Sequence, residues 1–465
     1  MDTKNIGLRN IEVADTRISF IDGQKGKLIY RGFDILDLTK NSNYEETCYL
    51  LLHDELPTRD EYDDFRASLS KARTIPKQMQ INMGNWRIDA DPMDALQAFV
   101  AAFGGYYDEE FSSKDASYER AINLIAKIPT IIASWQRIRN KQEIVHPDSN
   151  LNHAANFLYM LTGDKPEPEI EKIFDVCLIL HAEHTLNAST FAAREVASTR
   201  AHMYSAASAA VGALSGELHG GANYEVMRML LEIENEDNVE SYIKEKFARN
   251  ERIMGMGHAV YKTIDPRSQV LKELSKRLSE KTGQPWYNIT NKVEQTTVDM
   301  MKKTKGMEIF PNVDLYSASV YYMLGIPMDL NTPVFAMSRA AGWAAHVIEE
   351  KFAEAAPKPM LYRPKAVYVG KYAGPQGIDD RHRWLGSTPW ALSRRSRHRQ
   401  DRDCRFRCSG RDQPAAAGHP WNQGHWPAET RLGRRANDRH QSLRPDRKIR
   451  GPANERERAG HPQGL

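Results

Sequence analysis

The sequence predicts an all-α fold with a short β-hairpin at its start. Apolar residues recur at helical spacing through most of the chain before Gly377, helix-start signals precede several of these runs, and strand-like alternation is confined to the N-terminus. Arg17-Ile-Ser-Phe-Ile-Asp22 and Lys27-Leu-Ile-Tyr-Arg-Gly32 read as two strands around the turn Gly23-Gln-Lys-Gly26. Asn43 with Glu46, and Thr58 with Glu61, have the spacing of a capping box, in which a polar side chain takes the N3 amide and the Glu reaches back. Asp91-Pro92 is a third start, with Pro at the first helical position. Periodicity then predicts helices over 118–139, with a kink at Pro129, over 152–161, and without interruption over 168–200. The Ala-rich stretch 204–214 suits close helix packing. Further helices are predicted over 226–234, 239–250, 267–281 and 332–352, and 363–370 reads as an extended closing segment.

A chain of 465 residues with 41% hydrophobic and 27% charged residues is an ordinary globular composition, long enough for two or three domains. The start lacks a basic and apolar secretory pattern, and no apolar run approaches the roughly 20 residues that span a bilayer. The expectation is a cytoplasmic protein with no membrane segment. Cys48 and Cys177 fall in apolar helical patterns, as buried free thiols do, while Cys404 and Cys408 lack a second pair that would complete a metal site. His181 and His184 also lack the spacing of a metal-binding helix, so no metal is expected.

The formal charge of +3 hides an asymmetry. From Gly377 onward there are 20 Lys plus Arg, nearly all Arg, against 10 acidic residues, with few aliphatic side chains and no period. Such a stretch buries too little surface to offset the entropy of ordering. It reads as an arginine-rich nucleic-acid-binding arm or as a frameshifted translation of a GC-rich gene, and scarce Lys, Ile and Val beside abundant Arg, Pro, Trp, Gly and His favour the frameshift.

Four segments before the tail carry chemistry. In Gly216-Glu-Leu-His-Gly-Gly-Ala-Asn223, His219 precedes two glycines, where the backbone is free to take positive φ and the ring to face a cavity. Gly255-Met-Gly-His258 repeats the pattern and leads to Asp265-Pro-Arg267. Asp314 stands just before an apolar helix, either as its N-cap or as a free carboxylate. Arg339 lies among small residues on another helix, either in an internal ion pair or facing a ligand. Together these side chains suit carbon-acid chemistry: a carboxylate removes a proton beside a carbonyl, neutral imidazoles donate to the enolate oxygen, and arginines hold carboxylates with forked hydrogen bonds.

Leu218-His-Gly-Gly-Ala-Asn223, Gly257-His-Ala-Val-Tyr-Lys262 with Asp265-Pro-Arg267, Asn312-Val-Asp-Leu-Tyr-Ser317, Ser338-Arg339 and Arg363-Pro-Lys-Ala-Val-Tyr-Val-Gly370 stand in the order of the motifs of the citrate synthase family, which the chain resembles from about Gly7 to Gly377. The resemblance is to the short bacterial and archaeal form, type II. It implies a helical fold with a large domain (residues 1–221 and 326–377), a small domain (222–325), a cleft between them and a homodimer, leaving 378–465 as a disordered tail. The implied reaction condenses acetyl-CoA with oxaloacetate and hydrolyses citryl-CoA, with the coenzyme A thioester as substrate and no permanently bound cofactor. Asp314 corresponds to the base, His219 to the enol stabiliser and His258 to the donor on the oxaloacetate carbonyl. Arg267, Arg339 and His184 correspond to oxaloacetate ligands, Arg363 to a ligand reaching in from the partner subunit, and Phe335 to an aromatic lining the pocket. Arg252 and Lys305 are the nearest cations for the coenzyme phosphates.

The sequence departs from the family pattern in three places. Ala259 follows His258 where many members carry Arg, Asn331 stands where Phe is usual at the pocket edge, and the usual C-terminal arm is replaced by the basic tail. A 2-methylcitrate synthase, acting on propionyl-CoA, shares the same catalytic residues together with Ser317-Ala-Ser-Val-Tyr321 and Gly342-Trp-Ala-Ala-His346. One methylene separates the two substrates.

Overall fold

The computed structural model describes residues 7–8, 11–106 and 113–370. The basic stretch after Gly377, with Cys404 and Cys408, lies outside the described residues. The helical body belongs to the first of two units, Met1–Tyr368; of the second, Val369–Leu465, the described residues are Val369 and Gly370.

The hairpin forms as expected and gains a strand. β1 (Ser19–Asp22) pairs antiparallel with β2 (Lys27–Tyr30), which pairs antiparallel with β3 (Phe33–Asp34). Asp22 Oδ1 accepts the N–H groups of Gln24 and Lys25 and so closes the turn. Asp34 then caps the first helix, α1 (Ile35–Asn41), by accepting the Leu36 N–H.

Among the described residues ten α-helices run to residue 214. After α1 come α2 (Tyr44–His53), α3 (Arg59–Ala72), α4 (Lys77–Gly84), α5 (Pro92–Ala102), α6 (Lys114–Arg139), α7 (His153–Thr162), α8 (Pro168–His181), α9 (Ala188–Ser198) and α10 (Met203–Leu214). The Thr58–Glu61 capping box is complete, whereas Asn43 accepts the Glu46 N–H without the reciprocal bond. Asp91 caps α5 from one residue before its Pro. Pro129 sits inside α6, which continues through it. The uninterrupted helix expected over 168–200 is instead α8 and α9, separated by a turn that the hairpin holds open.

Five helices follow: α11 (Ala222–Ile233), α12 (Val239–Ala248), α13 (Pro266–Thr282), α14 (Trp286–Lys305) and α15 (Val313–Met323). They pack mainly on one another, α13 and α11 against α15 and α12 against α14, while α13 also meets α1 and α8. The last helix, α16 (Asn331–Phe352), is buried on all sides from Ala336 to Glu350 and lies against α6, α9, α10, α8 and α2. A helix apolar around its whole circumference belongs in the middle of a bundle. Its polar exceptions, Ser338, Arg339, His346, Glu349 and Glu350, are accordingly each paired or turned to the site. None of the described helices is long and apolar enough to cross a membrane.

Candidate active site

The turn between α8 and α9 forms one wall of a cavity. Thr185 has a φ of 51°, a costly left-handed conformation for a β-branched residue. The hairpin holds it there. The Tyr30 hydroxyl donates to Glu183 O at 2.7 Å and accepts the Glu183 N–H at 3.1 Å, while the Ser19 hydroxyl donates to Glu183 Oε1 at 2.9 Å and accepts the Thr185 N–H at 3.1 Å. His184 leaves this turn with Nε2 at 3.3 Å from the Tyr261 hydroxyl. Burial, and the positive charges of Arg267 and Arg339, hold its ring neutral.

His219 faces the N-terminus of α9. Its Nε2 accepts the Ser189 N–H at 3.2 Å, and because a backbone N–H only donates, this assigns the neutral ring's proton to Nδ1. The Ser189 hydroxyl lies 2.9 Å from Nε2 and 2.7 Å from Asn187 Oδ1, and accepts the Trp343 indole N–H at 3.2 Å. Burial, then Arg339, push the His219 pKa down to about 4, and the positive end of a helix acts in the same direction. The expected positive φ is absent from Gly220 and Gly221, and at Gly220 the reason for glycine is space. A Cβ on Gly220 would stand 2.1 Å from Leu214 O and 2.7 Å from Thr332 Cγ2.

Around His258 the positive φ is present, at 79° in Gly255 and 87° in Gly257. This loop is tied to the start of α15 by the Gly257 N–H on Phe310 O (2.8 Å), the Asn312 N–H on Gly255 O and the Asn312 amide on Gly257 O (both 2.9 Å). His258 and Asp314 therefore hold a fixed relation. His258 Nδ1 accepts the Val260 N–H at 2.9 Å and the Tyr261 N–H at 3.2 Å, leaving Nε2 as the donor. Burial, followed by Arg267, lowers its pKa to about 4. At α15 the N-cap is Asn312, whose Oδ1 accepts the Asp314 N–H, so Asp314 has no capping duty. Its carboxylate accepts no hydrogen bond among the described residues, and burial, partly opposed by Arg267, raises its pKa to about 6.

Two buried arginines complete the wall. Asp265 holds Arg267 through Nε (3.0 Å) and Nη2 (2.7 Å). Arg339 donates Nε–H to His181 O at 2.7 Å and lies over the Phe335 ring, 4.6 Å from its centroid. Neither Nη of Arg339 bonds to a described residue. The negative charge that acts on it most, Glu183, is already bound to His346 Nε2 at 3.0 Å. His184, His219, His258, Arg267, Asp314 and Arg339, with Phe335, line one cavity of about 320 Å³. It presents two neutral imidazoles with assigned donors, one raised carboxylate, and guanidinium N–H groups in a half-dry space, a set that fits an anion undergoing proton transfer at carbon.

A family model described as citrate synthase, C-terminal domain, matches residues 7–365. The chain belongs to the citrate synthase family. It is 42% identical over 372 residues to a citrate synthase of Haloferax volcanii, covering 78% of this chain and 95% of that one. Among solved structures it resembles citrate synthase from Pyrobaculum aerophilum, at 39% identity and a TM-score of 0.73 over 79% of this chain and 92% of the other. It also resembles the citrate synthase of Thermoplasma acidophilum in its ternary complex with carboxymethyl coenzyme A and oxaloacetate, at 32% identity and a TM-score of 0.73 over 78% and 95% of the two chains.

Three residues expected to bind coenzyme or substrate do not line this cavity. Arg252 and Lys305 line a separate cavity of about 300 Å³ between α12 and α14, beside the loop that leads to His258. Arg363 is exposed on the segment after α16. Asn331 is buried at the first position of α16 and does not line the 320 Å³ cavity. Sequence reasoning missed Ser189, Trp343, Tyr30, Ser19 and Asn312, which orient the cavity residues. Ser189, Trp343, Tyr30 and Ser19 act across long sequence distances and no local pattern marks them, whereas Asn312 has a local signal, an Asn in N-cap position before an apolar helix.

Proposed function

We propose that the chain is a citrate synthase that condenses acetyl-CoA with oxaloacetate and hydrolyses citryl-CoA to citrate and CoA. The observation that carries this reading is the juxtaposition of Asp314, with its pKa of about 6, and two neutral histidines in a cavity with the unbonded Nη groups of Arg339. Asp314 takes a proton from the acetyl methyl group, and the Nδ1–H of His219 stabilises the enol oxygen that forms. His258 donates from Nε2 to the oxaloacetate carbonyl and gives up that proton as the carbon–carbon bond closes. Arg267, Arg339 and His184 hold the substrate's carboxylates, and Phe335 covers the pocket beside Arg339. Water then cleaves the thioester.

Arg252 and Lys305 are proposed to meet the phosphates of the coenzyme, which comes and goes as substrate. Residues 222–325 act as a small domain that closes on residues 1–221 and 326–377, excluding water until the thioester is in place. The working form is a cytoplasmic homodimer, with Arg363 entering the partner's site.

The test is release of CoA thiol from acetyl-CoA and from propionyl-CoA, each with oxaloacetate. Turnover with acetyl-CoA at higher kcat/KM is expected, and a clear preference for propionyl-CoA would make the protein a 2-methylcitrate synthase instead. Asp314→Ala is expected to abolish condensation, by roughly a thousandfold or more, while leaving the helical CD spectrum intact.

A further inference from the structure

The segment that carries Arg363 is anchored by the residue before it. The Tyr362 hydroxyl donates to Glu350 Oε2 at 2.7 Å, its backbone N–H donates to Ser198 Oγ at 3.3 Å, and its ring lies 5.8 Å from that of Phe191. Glu350 is itself fixed by Arg194 Nη2 at 2.7 Å, and Arg194 Nη1 bonds Glu349 Oε2 at 2.6 Å and His346 Nδ1 at 3.0 Å. Because Arg194 donates to Nδ1, His346 carries its proton on Nε2 and donates it to Glu183, beside His184. Tyr362 is thus the outer end of a buried polar chain that begins behind the protomer's own cavity.

The next residue behaves oppositely. Arg363 is exposed and makes no ion pair or hydrogen bond among the described residues, and Pro364 restricts its backbone to extended conformations. An arginine set between a clamped tyrosine and a proline has little freedom in where it leaves the protomer. An arginine on a loose arm would lose that freedom only on binding, at a cost in affinity.

We propose that Tyr362 is a positioning residue for Arg363: its two anchors fix the direction in which the Arg363 guanidinium projects from one protomer toward the oxaloacetate carboxylate in the other. This rests on the reading of Arg363 as a ligand in trans. Removing the anchor leaves the catalytic carboxylate and imidazoles untouched, so the effect falls on substrate binding.

The experiment measures KM for oxaloacetate and kcat in the full-length Tyr362→Phe, Ser198→Ala and Arg363→Ala proteins and in each anchor variant combined with Arg363→Ala. Tyr362→Phe and Ser198→Ala are each expected to raise KM roughly three- to tenfold with kcat within about twofold, the pattern of lost uniform binding. Neither is expected to worsen the Arg363→Ala protein further, because the anchors act through that side chain. An unchanged KM in both anchor variants, or effects that multiply with Arg363→Ala, overturns the proposal.

The in-trans reading has its own readout. Co-expressed Asp314→Ala and Arg363→Ala subunits regain activity in mixed dimers if Arg363 serves the partner's site, because one of the two sites is then intact. No recovery sinks that reading, and with it the direction assigned to Tyr362. Recovery with an unchanged KM in the anchor variants sinks the positioning role alone.

Discussion

At the level of single residues, the site assigns protonation by who donates to whom. A backbone N–H on His219 Nε2 and two on His258 Nδ1 place each neutral ring's proton on the opposite nitrogen, and burial keeps both pKa values near 4. Asp314 moves the other way, to about 6, which makes it a stronger base than an ordinary aspartate while leaving it mostly ionised at pH 7. The base must be unprotonated in the free protein, so log kcat/KM is expected to fall with slope one as pH drops below about 6. The histidines, already neutral, add no limb until about pH 4. A pH–rate profile flat down to pH 5 would remove Asp314 from the role. Ser189→Ala keeps the backbone donor to His219 and loses the hydroxyl bridging Asn187 and Trp343, so kcat is expected to drop roughly tenfold with the melting temperature little changed. His219, His258, Asp314 and Arg339 were legible in the sequence because glycine pairs and an apolar helix made them conspicuous. Ser189 was not, since a serine in the first turn of a helix is commonplace.

Elements carried a second layer of information, and here the sequence was readable where bonds are local. The hairpin turn, the Thr58 box and the Asp91-Pro92 start each depend on residues within four positions, and each formed. The break at 182–187 did not show, because helical periodicity runs straight through it. What opens it is Tyr30 and Ser19, about 150 positions away and more. Gly220 and Gly221 make the same point within one motif. They look equivalent in sequence, yet one is crowded and the other is not, with the nearest atoms to an added Cβ at 2.1 Å and 3.6 Å and a φ of −74° at Gly221. Gly220→Ala is expected to destabilise the protein by roughly 2–3 kcal/mol or more and to displace His219, while Gly221→Ala stays within about 0.5 kcal/mol of the parent. Thermal unfolding of the two variants side by side checks this, and equal losses would contradict it.

Across the whole molecule, the candidate active site is assembled from segments that the chain makes far apart, and the hairpin ties them together. Ser19 and Tyr30 hold the His184 turn, and the hairpin turn receives the Lys262 N–H on Gly23 O at 2.8 Å, just beyond His258. Twelve of the sixteen described α-helices, α1 to α12, lie between these ends and can begin to form before the ends meet, since local contacts close first and a loop of this length pays its entropy late. In a refolding experiment, far-UV CD is therefore expected to recover before condensation activity, and Tyr30→Phe should widen the gap by slowing the return of activity more than that of helix. Simultaneous recovery of both signals would count against it. The turn of the hairpin thus waits for about 240 further residues to be made before Lys262 is there for it to close on.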